Sequence, residues 1–257
     1  NLDQLELNGQ LTLHDFHIGS YDITKTNAHI WYNQHKLELN PLTFSLYNGE
    51  SVGRLHYNTK THELNLDQTG TGLDAEPIFQ NLLDITPPRL TGQLDFSLHV
   101  TTLLNTSEWV KKAKVDANLT VRNGELAYFD LPALTEKATQ TMHTLATQNI
   151  ELIHSTLDHL SPWNMDDFKG RTPFQLFNLQ CQADGSNTLQ YNLFLETKKL
   201  HLKGQGALDL ETKTINAHVL AKITTKDITT QAIQSMLGHG FPLLITGTLE
   251  DPIIHAD

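Results

Sequence analysis

The chain has 257 residues, of which 39% are hydrophobic and 18% are charged, and its formal net charge is -11. These values argue against a disordered chain, against a nucleic-acid binder that neutralises phosphates, and against adhesion to anionic lipid through a basic face. The length allows one large β domain or two smaller ones. Cys181 is the only cysteine, so the chain has no internal disulfide and no thiolate metal cluster.

The sequence carries no targeting or membrane signal. No apolar run approaches the roughly 18 residues that a membrane-spanning helix needs, and no signal peptide stands at the start. Residues 1–7 already alternate between polar and apolar side chains as a strand does. We therefore expect the sequence to be an excised piece of a longer protein.

The stretch from residue 37 to 55 shows the pattern that the rest of the chain repeats, strands whose apolar side chains all lie on one face. Its apolar side chains occupy odd positions before Asn40-Pro41 and even positions after it. A bulge at Asn40-Pro41 keeps them on one face, because a shift of one residue otherwise moves every side chain across the sheet. Asn48-Gly49 then supplies the positive φ angles of a tight turn. The stretch is thus predicted to form a bulged β-hairpin.

Most of the remaining chain is predicted to form short strands, in a β-rich segment of residues 1–130 and another of residues 172–257. These strands have one apolar and one polar face, which is typical of antiparallel sheet. Turn signals such as Asn123-Gly124 and Asp184-Gly185 recur about every 8–12 residues. This spacing favours an antiparallel meander over strands joined by crossover helices.

Residues 131–161 break the alternation. Apolar residues recur there at intervals of three and four, and neither glycine nor proline interrupts the stretch from Ala133 to Ser161. This pattern predicts an amphipathic helix about 45 Å long. Shorter helices are predicted at residues 74–84, with Asp74 as the N-cap, at 107–112 and at 229–237.

A sheet with one apolar face must have that face covered. About ten strands at a spacing of roughly 4.8 Å make a sheet about 50 Å wide, whereas one helix about 10 Å in diameter covers a single band of it. Two interpretations remain open, a closed core packed by protein and an open apolar groove. The groove interpretation assigns the lining to nine apolar residues: Leu94, Phe96, Leu98, Val115, Leu119, Leu193, Leu195, Val219 and Ile223.

Residues that carry chemistry in other proteins form no recognised motif in this chain. None of the 14 histidines stands in a zinc-ligand spacing with cysteine or carboxylate partners, and Cys181 has no distinctive context. The chain has no G-x-S-x-G elbow, and the glycines at 70 and 72 lack the lysine of a phosphate-binding loop. We therefore expect a non-enzymatic protein with no metal site and no cofactor.

Seven segments, by their order and spacing, form a specific pattern that covers most of the chain. The segments are PLTFSLYNGESVGRL (41–55), GTGLDAEPIFQNLL (70–83), LTGQLDFSL (90–98), NGELAYFDL (123–131), TPFQLFNL (172–179), LKGQGALDL (202–210) and FPLLITGTLEDP (241–252). Together they resemble the C-terminal region of the AsmA family of bacterial envelope proteins.

The strand pattern and the resemblance predict one mainly β (α+β) domain over residues 1–257. It is a long curved antiparallel β-sheet with one apolar face, partly covered by the long helix and a few short ones. The resemblance also implies a location in the periplasm, in a protein anchored to the bacterial inner membrane by a segment absent from this chain. Larger relatives of the family are similar to bridge-like lipid transfer proteins.

Three functions of different classes are weighed. The first, implied by the resemblance, is non-enzymatic transport of phospholipid between membranes and outer-membrane maintenance through an apolar β-groove. The second is a scaffold for outer-membrane protein assembly that carries no lipid and binds envelope proteins through exposed strand edges or loops. The third is a hydrolase of envelope glycans, which needs two carboxylates facing each other across a cleft. No nucleic-acid partner is expected.

Overall fold

A computed structural model describes residues 5–18, 20–83, 90–105, 108–109, 111–127, 129–146 and 169–256. The described residues form one antiparallel sheet whose strands follow one another in sequence order, which confirms the prediction of a mainly β meander. The strands are β1 (Leu7–Ile18), β2 (Tyr21–Asn33), β3 (Lys36–Leu46), β4 (Gly49–Asn58), β5 (Glu63–Asp74), β6 (Leu90–Leu103), β7 (Lys114–Ala127), β8 (Arg171–Asp184), β9 (Thr188–Glu196), β10 (Leu200–Asp209), β11 (Ile215–Ile223), β12 (Phe241–Gly247) and β13 (Pro252–Ala256).

Three helices interrupt the described part of the sheet. The short helices predicted near residues 74–84 and 229–237 are confirmed as α1 (Ala75–Leu83) and α3 (Ile228–Met236). The first half of the long predicted helix is α2 (Leu131–Ala146), and its second half lies outside the described residues.

The short helix predicted at residues 107–112 is not found in the described part of that segment. Its described residues form turns, with one hydrogen bond from Lys112 N to Glu108 O at 3.2 Å. A single bond of this kind does not offset the entropy lost in nucleating a helix.

The chain divides into two compact units. Unit 1 comprises residues 1–121 and 180–189, and unit 2 comprises residues 122–179 and 190–257. The assignment of the whole chain to a single domain stays a prediction.

Unit 1 closes its core where α1 packs against β6. Leu73, Ala75 and Leu94 have no exposed surface, and Phe79 of α1 is 8% exposed. These side chains bury the apolar stripe of α1, which stabilises an otherwise marginal nine-residue helix.

The bulge predicted at Asn40-Pro41 is confirmed. The register of β3 against β4 shifts between Leu39 and Leu42, which keeps both leucines on the apolar face, and the Asn40-Pro41 bond is cis. The turn that follows differs by one residue from the prediction. Its positive φ angles belong to Tyr47 (46°) and Asn48 (64°), because β4 already begins at residue 49.

The tight turn predicted at Asn123-Gly124 is wrong, because β7 continues through both residues. A two-residue hairpin turn of type I′ requires positive φ at both central residues. Asn123 has a φ of 50°, but Gly124 has no positive φ, so the chain does not reverse there.

Unit 2 packs α2 and α3 together and buries α3 against its strands. The side-chain amide of Gln234 in α3 accepts a hydrogen bond from Ile223 N at 2.6 Å and donates one to Ile223 O at 3.1 Å. Asp227 caps α3, because its carboxylate accepts hydrogen bonds from the backbone N and the hydroxyl of Thr230. The hydrogen bond from the Thr230 side chain is the main reason that the pKa of Asp227 is lowered.

Candidate functional site

The strand register of unit 1 aligns apolar side chains of β1 to β6 in rows that cross the strands. Directly opposite residues in antiparallel strands point to the same face, so each chain of pairs forms one row on the apolar face. One row, called here the aliphatic row, carries hydrocarbon side chains from β2 to β6 and a glycine on β1. Its members are Gly9, Ile30, Leu39, Leu55, Leu66 and Val100.

Every member of the aliphatic row is partly exposed. Its hydrocarbon side chains, from Ile30 to Val100, span four inter-strand spacings of about 4.8 Å each, which gives a length of about 19 Å. The apolar face of an antiparallel sheet is normally packed on a core, so a partly exposed row of this length is unusual. Contiguous exposed apolar surface of this kind typically marks a binding site.

Two further rows lie beside the aliphatic row toward α1. Here the face contains polar groups, since Ser51 donates a hydrogen bond to Gln68 Oε1 at 2.8 Å and Gln68 Nε2 donates to Leu42 O at 3.4 Å. These rows are Leu11, Ala28, Leu42, Gly53, Gln68, Leu98 and, one row further, Leu13, Thr26, Phe44, Ser51, Gly70, Phe96.

On the other side, the aliphatic row is bordered by a row that we call the tyrosine row. Its Tyr57 hydroxyl lies 3.1 Å from His62 Nδ1, and its Thr102 hydroxyl donates to Trp109 O at 2.8 Å. Tyr32 is 7% exposed, and its hydroxyl has no hydrogen-bond partner among the described residues. The row consists of Leu7, Tyr32, Leu37, Tyr57, Leu64 and Thr102.

No residue of these four rows is charged or a histidine. His62 contacts only the border of the tyrosine row, so an ionised group bound on the aliphatic row would lose its water without gaining a partner of opposite charge in that row, which is costly. The face is therefore suited to a neutral apolar ligand.

The nine residues predicted to line a groove are distributed over both units. In unit 1, Phe96 and Leu98 lie in the two rows nearer α1, Val115 and Leu119 are partly exposed on β7, and Leu94 is fully buried near α1. In unit 2, one residue is partly exposed and three are buried. These four are Leu193, which is partly exposed, and Leu195, Val219 and Ile223, which are 3%, 3% and 7% exposed.

Sequence reasoning did not assign the aliphatic row to the groove. Its members Ile30, Leu55 and Leu66 are visible in the alternation, but alternation identifies a face and not the neighbours across it. Hairpin turns fix the register, so the position of each turn was the signal that could have identified the row.

The opposite, polar face of unit 1 carries an ion-pair network at a shallow depression. Asp67 accepts a hydrogen bond from Arg54 Nε at 2.8 Å, and its other oxygen lies 2.5 Å from His99 Nδ1. These hydrogen bonds, the one to His99 foremost, lower the pKa of Asp67. The depression has a volume of about 250 Å³ and also contacts Val52 and Asp116. Exposed ion pairs of this kind contribute little to stability.

The described part of the chain holds neither a metal-binding cluster nor a membrane-spanning helix. No group of three or more His, Cys, Asp or Glu side chains there is arranged to hold a metal ion. Of the helices that are described, none has the length and hydropathy to cross a membrane.

The chain was compared with protein-family models, with curated proteins and with solved structures, and none of the three comparisons gives a significant match.

Proposed function

We propose that this chain is a non-enzymatic module that shields the acyl chains of phospholipid on the apolar face of unit 1. In this proposal it belongs to an AsmA-type protein anchored in the inner membrane and located in the periplasm. It contributes there to phospholipid transport between membranes and to maintenance of the outer membrane. The observation that carries the proposal is the aliphatic row, whose members are all partly exposed.

The energetic argument is the hydrophobic effect. Removing a methylene group from water contributes about 0.8 kcal/mol, so an acyl chain laid along the row gains several kcal/mol from burial. The row gains as well, because its exposed leucine surface leaves water at the same time. Polar groups of the flanking rows, such as Gln68 and Tyr57, border the hydrocarbon on both sides. An acyl chain therefore buries most apolar surface when it lies along the aliphatic row.

Extraction of lipid from the purified chain, followed by mass spectrometry, tests the proposal. We expect phospholipid in stoichiometric amounts with the wild-type chain and a marked loss with Leu66→Gln, which places an amide in the middle of the row. The matched control is Thr69→Gln, which lies on the same strand but on the opposite, exposed face. Lipid-free wild-type protein that also takes up no phospholipid from vesicles would contradict the proposal.

A scaffold for outer-membrane protein assembly is the second proposed function, and the edge strand β1 favours it. β1 lies at one edge of the described sheet and contains neither lysine nor proline, the residues that commonly protect an edge. Its Leu7 and Leu13 are 48% and 40% exposed. An extended segment of an envelope protein could pair with this edge. Lipid-free chain that retains an outer-membrane protein through β1 would favour this function over lipid carriage.

A further inference from the structure

The outward side of α3 carries an exposed apolar stripe. Ile228 is 81% exposed and Met236 is 53% exposed, and Ala232 between them is also exposed. These three residues are spaced by four, so they share one side of the helix, called here the outer stripe. The other side of α3 is buried through Ile233 and Gln234. Packing of α3 on unit 2 therefore accounts for its buried side but not for the outer stripe.

The sequence around the outer stripe is poor in acids. α3 itself contains no charged residue. Residues 214–249 contain two lysines, Lys222 and Lys226, which are both exposed, and one acid, Asp227, so their net charge is +1 with histidine neutral. Asp227 caps α3, and its carboxylate lies 3.1 Å from His143 Nε2 of α2. In a chain with a net charge of -11, this segment is thus a local exception.

The size of the outer stripe argues against a protein partner. A stable protein–protein interface takes about 20–30 residues from each side, whereas the stripe offers three. A bilayer surface needs no matching shape. It binds a short amphipathic helix through the apolar area that enters the headgroup region and through attraction between lysines and anionic lipid.

The charge distribution restricts how such a contact forms. The net charge of -11 disfavours a broad contact between the chain and an anionic lipid surface. Contact through α3 avoids this repulsion, because the apolar stripe is preceded by Lys226 and the one nearby acid, Asp227, is already engaged as a helix cap.

We propose that α3 is a membrane-contact site, at which Ile228, Ala232 and Met236 enter the headgroup region of a phospholipid bilayer and Lys226 pairs with lipid phosphate. This inference goes beyond the proposed function, because it concerns unit 2 and an intact bilayer rather than a single acyl chain on unit 1. It supplies an element for touching the membrane surface, which a protein that exchanges phospholipid with membranes needs.

Co-sedimentation of the full chain with vesicles of phosphatidylcholine and phosphatidylglycerol tests the inference. We expect the double variant Ile228→Gln/Met236→Gln to bind these vesicles about tenfold more weakly than the wild type, because two apolar side chains no longer leave water. Lys226→Gln should weaken binding about fivefold, the factor for one lysine near an anionic surface. High salt should abolish the effect of Lys226→Gln but keep that of the double variant.

The matched control is Leu210→Gln in the turn between β10 and β11 of unit 2. Leu210 is 44% exposed and does not belong to α3, so its replacement should leave vesicle binding unchanged. Thermal unfolding checks the fold of the double variant. Its melting temperature should match the wild type, because both replaced side chains are exposed and glutamine is a good helix former.

Each contrary result has a distinct meaning. A wild-type chain that does not bind the vesicles, or equal binding by the wild type and the double variant, would overturn the inference. So would self-association that the double variant abolishes, since a second copy would then cover the stripe. A lower melting temperature of the double variant would also overturn it, because the stripe would then be packed within the chain.

The proposed function is tested separately, by extraction of lipid from the purified chain. Extracted phospholipid together with absent vesicle binding would overturn the contact through α3 and leave acyl shielding by unit 1 intact. A chain that binds vesicles through α3 but carries and takes up no phospholipid would contradict the proposed function and support the membrane-contact site.

Discussion

Leu55 lies directly opposite Leu66 in the register of β4 and β5, and both side chains remain partly exposed. The pair forms the middle of the aliphatic row. We predict that Leu55→Gln weakens binding of a neutral acyl probe about tenfold, which corresponds to roughly 1.4 kcal/mol, because the probe must then desolvate an amide. Displacement of the fluorescent hydrocarbon diphenylhexatriene by methyl laurate measures the effect.

The matched control for this substitution is Val52→Gln on the same strand. Val52 is 54% exposed and lies on the opposite face, so its replacement should leave probe affinity unchanged. Equal losses from the two substitutions would show that binding does not depend on the aliphatic row.

The second prediction concerns the glycine of β4 that faces Gln68. A Cβ at Gly53 would collide with the backbone carbonyl of Asp67, which the β4–β5 ladder holds in place. Gly53→Ala should therefore lower the free energy of unfolding by about 1–3 kcal/mol, as overpacking typically does. Urea denaturation measures it.

Gly9 offers the contrasting substitution, because a Cβ there meets no atom within 4 Å. Gly9→Ala should be neutral or stabilise the chain by up to about 1 kcal/mol, since alanine restricts the unfolded chain. A similar response of the two variants would refute the close approach of β4 and β5.

The third prediction concerns the two hydrogen bonds between Gln234 and the backbone of Ile223. Gln234→Ala leaves a buried N–H and C=O without these partners and should cost about 1–3 kcal/mol of unfolding free energy. Gln231, one turn earlier on α3, is exposed, and its side-chain amide donates a hydrogen bond to Thr225 O. Gln231→Ala should lower the free energy of unfolding clearly less. Equal losses in urea titrations would contradict the two buried hydrogen bonds between Gln234 and Ile223.

The fourth prediction concerns Cys181. Burial raises the pKa of its thiol to about 11, so the reactive thiolate is scarce in the folded chain at pH 8. Alkylation by iodoacetamide should be slow in the folded protein and become fast in denaturant, where the pKa returns to about 8.5. The rate in the folded state should rise with pH up to about 11. Rapid alkylation of folded protein at pH 7 would contradict the burial of this side chain.

The sequence predicted the apolar face of unit 1 but not the rows on it. Alternation identified the face, and the bulge at Asn40-Pro41 was predicted because the apolar positions change phase there. Which residues form a row depends on the position of the turn between β3 and β4, because the turn sets the register of the two strands. A turn centred on Asn48-Gly49 would pair Leu42 with Leu55, whereas the observed turn at Tyr47-Asn48 pairs Leu42 with Gly53. One residue in the turn thus decides which side chains meet across β3 and β4.

Asparagine-glycine pairs proved ambiguous for a related physical reason. Before Gly49, both Tyr47 and Asn48 adopt the left-handed conformation, and the chain reverses there. At Asn123 it is confined to one residue, and β7 continues. Sequence alone does not distinguish these cases, because tyrosine rarely adopts positive φ and gives no signal of its own.

Photo-crosslinking with a phospholipid that carries a diazirine in its acyl chain tests the central claim most directly. After irradiation and proteolysis, mass spectrometry locates the labelled residues. The aliphatic row predicts labels on or next to Ile30, Leu39, Leu55 and Leu66, and unlabelled dilauroyl phospholipid should compete them away. Labels confined to the opposite face, at Trp31 and Val52, or labelling that no unlabelled lipid reduces, would contradict an acyl-binding role for this face.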